Sequence, residues 1–152
     1  MGDEAFQASG YISFGDTRQT ELILIPLPEN YEPPSTLPFV SKDWEGTGFL
    51  SVYGQSNINK PVQFKKIVGR NSSYGKNFIK LGEKDSVTNP GDSGGAVVWE
   101  DPQTLKKYVV GAIHGNYEKG GDSENVAIKV SNKKITTKLR KGTYKQIRLN
   151  CS

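Results

Sequence analysis

The chain of 152 residues has one cysteine, Cys151, and one histidine, His114. A single cysteine excludes an intrachain disulfide, so the fold must stand on packing and hydrogen bonding. Long hydrophobic runs are also missing. No apolar stretch approaches the roughly 18–20 residues that a membrane-spanning helix needs. The first ten residues, MGDEAFQASG, are acidic and polar. They lack the basic start and apolar stretch of a secretory signal, so none is expected there. Finally, no segment keeps a 3.6-residue apolar period with end caps. Only 131–140 is a weak helix candidate.

What the chain does have is a series of short apolar stretches separated by Gly, Pro, Asn and Ser. Strands are predicted at 10–15, 21–27, 48–54, 62–68, 77–81, 95–99, 107–113 and 125–130. They are rich in Val, Ile, Phe and Tyr, which fit a pleated, half-buried surface. Short strands with turn chemistry between them indicate an all-β antiparallel barrel or sandwich. The segment PENYEPPSTLP, 28–38, carries four prolines and reads as an extended surface connection.

Charge is unevenly spread over a formal net +4. Residues 1–50 hold eight acids against Arg18 and Lys42. From Lys129 to Arg148 there are eight basic residues and no acid. Such a run could meet nucleic acid or an anionic membrane. A solvated face is the expectation, with neither as a partner.

One stretch carries chemistry: TNPGDSGGAVVW, Thr88 to Trp99. Glycines on both sides of Asp92 and Ser93 let the backbone bend tightly and approach a ligand closely. A polar turn is the plain reading of such residues. The sharper one is a serine nucleophile whose neighbouring backbone N–H groups face a developing oxyanion.

GDSGG followed by AVVW resembles the nucleophile motif of trypsin-like serine proteases of the chymotrypsin fold. TELILIPL (20–27) is similar to that family's strand bearing the triad acid, and GTGFLSVYG (46–54) to the first strand of its second barrel. VVGAIHGN (109–116) resembles the strand lining the substrate cleft, and NVAIKVSNKKI (125–135) the closing strand. The resemblance implies a trypsin-like antiparallel β-barrel: the second barrel of the double-barrel fold plus the last strand or strands of the first. Three segments are then expected. Residues 1–41 would be a first-barrel remnant and connection, 42–138 the second barrel, and 139–152 a basic tail.

The resemblance further implies serine endopeptidase activity by acyl transfer through Ser93, on polypeptide substrates, with no cofactor or metal. It places the N–H groups of Gly91 and Ser93 in the oxyanion hole. Asp92 matches the aspartate that, in activated members, pairs with a new N-terminus in the interior. Glu21 matches the triad acid, where the family normally has Asp. Val87 falls at the base of the specificity pocket, and His114 and Asn116 fall in the substrate pocket. The family suggests secretion, yet this chain shows neither a signal nor a disulfide framework, so its compartment stays open.

The catalytic base is the main departure. The family carries its histidine well upstream of the acid strand, and none of the twenty residues before Glu21 is His. The chain is therefore expected to be incomplete as an enzyme, with a separate first-barrel segment as a possible partner. The alternative is a catalytically inactive protease homologue kept for binding.

Overall fold

The computed structural model describes residues 8, 10–13, 22–33, 36–41, 44, 48–56, 63–84, 86–131 and 144–146. Six strands close an antiparallel barrel. They are β3 (Gly48–Gly54), β4 (Gln63–Asn71), β5 (Phe78–Glu83), β6 (Ala96–Glu100), β7 (Lys107–Lys119) and β8 (Asp122–Lys129). Their order is β3–β4–β5–β8–β7–β6, and β6 pairs back onto β3 through Leu50↔Trp99 and Val52↔Val97. Three further strands, β1 (Gly10–Ser13), β2 (Ile23–Leu24) and β9 (Tyr144–Gln146), form a small sheet in the order β2–β1–β9. The expected all-β barrel is thus the observed architecture. The predicted helix at 131–140 and most of the basic run lie outside the described residues, as does Glu21.

Alternation explains the barrel interior. In β3, Leu50 and Val52 point inward and are buried, while Phe49 between β-partners points out and is 80% exposed. Ile79, Leu81, Val97, Val110, Ile113 and Ala127 complete the interior. Each Val, Leu or Ile side chain so removed from water contributes about 1.5–3 kcal/mol.

Strands β5 and β8 are buried on both faces, and their sequences run apolar rather than alternating. Phe78, Val126 and Ile128 form a second cluster, against which Leu22, Leu24, Tyr74 and Tyr117 pack. The segment before the proline-rich connection is therefore seated on this side of the barrel. The connection itself, 28–38, is mostly exposed where described, as its prolines predict. At its end, Val109 donates to the Pro38 carbonyl and Val40 donates to the Val109 carbonyl, which ties the chain to β7.

Strands β7 and β8 form a longer hairpin than the sequence predicts. The ladder runs on from Gly115↔Val126 to Lys119↔Asp122. Gly120 and Gly121 make the two-residue turn, both with positive φ (59° and 88°), the backbone form that a right-twisted hairpin requires.

Candidate active site

The nucleophile candidate sits in the second of two consecutive turns at the entry to β6. In the first, the Asp92 N–H donates to the Asn89 carbonyl at 3.1 Å. Pro90 occupies the second position and Gly91, with φ 99°, the third. That is the signature of a type II turn, whose third residue needs positive φ. In the second turn the Gly95 N–H donates to the Asp92 carbonyl at 3.0 Å, with Gly94 at φ 86°. Asp92 is the junction, and Ser93 follows it as the exposed second residue of the second turn.

Main-chain bonds to β7 fix this double turn in place. Gly94 donates to the Ile113 carbonyl at 2.7 Å, and Ile113 donates to the Gly95 carbonyl at 2.9 Å. Strand β3 closes in from the other side: a Cβ on Gly95 would overlap the Tyr53 carbonyl oxygen. Gly95→Ala is therefore expected to cost about 1–3 kcal/mol, the usual price of overpacking. It should also displace Ser93. Urea melts of the variant check the first effect, and loss of Ser93 reactivity checks the second.

The bonding pattern along the turns is selective. The N–H groups of Asp92, Gly94 and Gly95 all have main-chain acceptors. Among the described residues those of Gly91 and Ser93 have none. Two donors on either side of Asp92 are thereby left for an outside acceptor, beside an exposed serine hydroxyl.

Around them stand the other residues singled out from the sequence. Ser93 Oγ makes a long contact, 3.4 Å, with the main-chain carbonyl of His114. His114 is the extra residue of a bulge, where the β7–β8 register shifts between Ile113 and Gly115. Bulges re-aim backbone groups beside functional sites. The imidazole lies edge-on to Phe78, with centroids 5.8 Å apart. The structure thus brings the main-chain carbonyl of His114 to the serine hydroxyl. Val87 is half-buried against the barrel core and lines a cavity of about 270 Å³ with Ser56, Phe64, Lys65 and Asp92.

Asn116 belongs to a polar network that the sequence did not reveal. Buried Asn125 donates from Nδ2 to Asn116 Oδ1 at 2.8 Å and to Thr88 Oγ1 at 2.5 Å. The amide links the turn leading to Ser93 with β7. The only signal for it was a polar residue opening an apolar run, NVAIKV. Asp92 is likewise buried, and its carboxylate is held by Ser56 Oγ and by the Asn89 N–H.

A second buried carboxylate braces the far side of β7. Glu124 accepts from Ser72 Oγ at 2.6 Å, from Ser73 Oγ at 2.5 Å and from the Ser73 N–H at 3.1 Å. Tyr74, next in the same loop, stacks on Tyr117. Burial alone would raise the Glu124 pKa. The serine donors and the Lys80 charge outweigh it, and hold the group below the ordinary 4.5. A depressed carboxylate pKa means a contribution that is complete above the unfolded value and lost as pH falls through the folded one. Acidification below about pH 4.5 should therefore destabilise the protein, and Glu124→Gln should flatten that dependence. Thermal melts from about pH 3 to 7 on both chains check it.

A barrel with a glycine-framed serine turn defines a class of protein, and comparison places the chain within it. The family model described as Trypsin matches residues 24–135, well over half of the sequence. The chain belongs to the trypsin family, the trypsin-like serine proteases, which act on polypeptides. Comparison with curated proteins finds no significant match.

Proposed function

We propose that this chain carries the nucleophile half of a serine endopeptidase site. Ser93 is the nucleophile, and the Gly91 and Ser93 N–H groups are the oxyanion donors. The observation that carries this reading is the pair of N–H groups without internal acceptors, flanking an exposed Ser93 on a double turn fixed at both ends.

The chemistry follows from that arrangement. A peptide carbonyl seated over Ser93 meets the hydroxyl oxygen as nucleophile, and its own oxygen gains charge as the tetrahedral intermediate forms. Fixed N–H donors stabilise that charge without reorganising. A serine hydroxyl also needs a base to take its proton, and a carboxylate behind the base to hold its tautomer. None of the residues before Glu21 is a histidine, so this reading takes the base from a histidine-bearing segment outside this sequence, with Glu21 as the supporting acid. His114 and Asn116 line the substrate cleft, with Val87 at the base of the pocket. Val87 offers no carboxylate, which disfavours Lys or Arg before the cut.

The lack of a histidine before Glu21 favours a second reading, an inactive homologue kept for binding. A fluorophosphonate probe separates the two. The first reading expects labelling of the folded chain when a histidine-bearing first-barrel segment is supplied, lost on unfolding in urea and absent in Ser93→Ala. Equal labelling of Ser93→Ala, or none of the chain supplied with that segment, supports the second.

A further inference from the structure

We infer that Ser56 is a positioning residue, which holds the nucleophile turn in its anion-binding form through Asp92 without any charged partner. This rests on the serine-protease reading for its consequence, but not for its geometry.

Asp92 is 7% exposed, and a buried carboxylate requires compensation. Here the compensation is neutral. Ser56 Oγ donates to Oδ1 at 2.9 Å, and the Asn89 N–H donates to Oδ2 at 2.9 Å. Among the described residues no cation pairs with it; the ion pairs present are Lys80–Glu83 and Lys84–Glu118. Each carboxylate oxygen thus has one short donor, and hydrogen bonds to an ionised acceptor are about twice as strong as neutral ones.

Ser56 touches the turn twice. Its hydroxyl holds Asp92, and its main chain packs on Gly91, where a Cβ would come within 2.9 Å of the Ser56 carbonyl oxygen. Gly54, two residues earlier, also closes on the Asp92 side chain: a Cβ there would lie 2.6 Å from Cγ. The end of β3 therefore forms a seat for residues 91–95. With the Asp92 side chain fixed in that seat, the peptide groups on either side of it are fixed too. These carry the Gly91 and Ser93 N–H groups. The trypsin-family expectation is an aspartate paired with a newly cut N-terminus. In this chain a serine hydroxyl does that work, so the oxyanion turn forms without cleavage.

The test is amide NMR on the full chain, with Ser56→Ala, Ser56→Thr and an N-terminally acetylated form. Ser56→Ala is expected to shift the Gly91 and Ser93 amide signals while those of β8 stay in place, and to speed exchange of the Asn89 N–H about tenfold. Ser56→Thr, which keeps the hydroxyl, should restore both, and acetylation should change neither. Should Ser56→Ala fail to fold, Ser56→Cys, a weak donor of similar size, carries the same comparison. Unchanged Gly91 and Ser93 signals in the variant overturn the inference. So does a turn that responds to acetylation instead, because a charged amine would then hold Asp92. Fluorophosphonate kinetics on the chain supplied with a histidine-bearing first-barrel segment separate this inference from the reading it rests on. Ser56→Ala should lower the limiting labelling rate about tenfold with the half-saturating concentration unchanged. A turn that responds in a chain whose Ser93 is never labelled, even with that segment supplied, keeps the anchor and removes the protease reading. Equal limiting rates in both chains remove the anchor.

Discussion

Ser93→Ala is expected to abolish peptide and ester hydrolysis in any preparation in which this chain is active. The predicted loss is on the order of 10⁴–10⁶-fold in kcat, the range seen when a serine triad loses its nucleophile. The size follows from chemistry. No other described side chain stands where the turn presents Ser93 Oγ, so no acyl intermediate can replace the one lost. Alanine fits the same backbone, because Ser93 is exposed and does not have positive φ. The variant should therefore melt like the parent within about 0.5 kcal/mol, as surface substitutions usually do. Kinetics on an ester substrate, together with denaturant melts, check both halves. Residual turnover within tenfold of the parent would place the nucleophile elsewhere.

The second large effect concerns the base that the proposed function takes from outside this sequence. The isolated chain is expected to hydrolyse substrate at least about 10³-fold more slowly than the same chain supplied with a histidine-bearing first-barrel segment, fused upstream or added separately. A triad is a geometric unit whose members can come from different segments. In the complemented enzyme, Glu21→Gln should lower turnover strongly, since an amide cannot hold the imidazole in the needed tautomer. His114→Ala should change which residue is preferred before the cut and leave catalysis in place. Steady-state kinetics on a panel of substrates read all three. Full activity of the chain alone, abolished by His114→Ala, would make the single histidine the base and overturn this assignment.

The barrel was legible because its strands carry their own signal. In GFLSVYG the alternation of Leu50 and Val52 with exposed Phe49 states both the strand and its inward face. The turn at Gly91–Gly95 was legible for a different reason. Pro followed by Gly, with a further Gly after Ser93, has few low-energy backbone forms, and the observed φ values are among them.

Other features follow from contacts that no local pattern records. The β7–β8 hairpin extends through HGNYEKGGDSEN, a polar stretch without apolar alternation. Its order comes from ladder bonds and the Gly120–Gly121 turn, and the glycine pair was the one available signal. Strand β9 is three residues long and depends on β1, far away in sequence. Ser56 has no sequence signal at all: it lies on an irregular bend and finds Asp92 across 36 residues. Asn125 could have been suspected as a polar residue at the head of a buried strand, but its partners Thr88 and Asn116 could not. The bulge that turns the His114 carbonyl toward Ser93 likewise arises from a register shift between two strands. Sequence reading identified the residue type at that position, and pairing decided which of its atoms faces the site.

The account stands on Ser93 attacking a carbonyl whose oxygen enters the space beside Gly91 and Ser93. A crystal structure of the chain treated with a peptidyl trifluoromethyl ketone tests this most directly. The predicted result is a tetrahedral adduct on Ser93 Oγ, with its oxygen roughly 2.7–3.1 Å from both the Gly91 and the Ser93 backbone nitrogens. An adduct on another residue, or one on Ser93 whose oxygen points away from those two N–H groups, would contradict it.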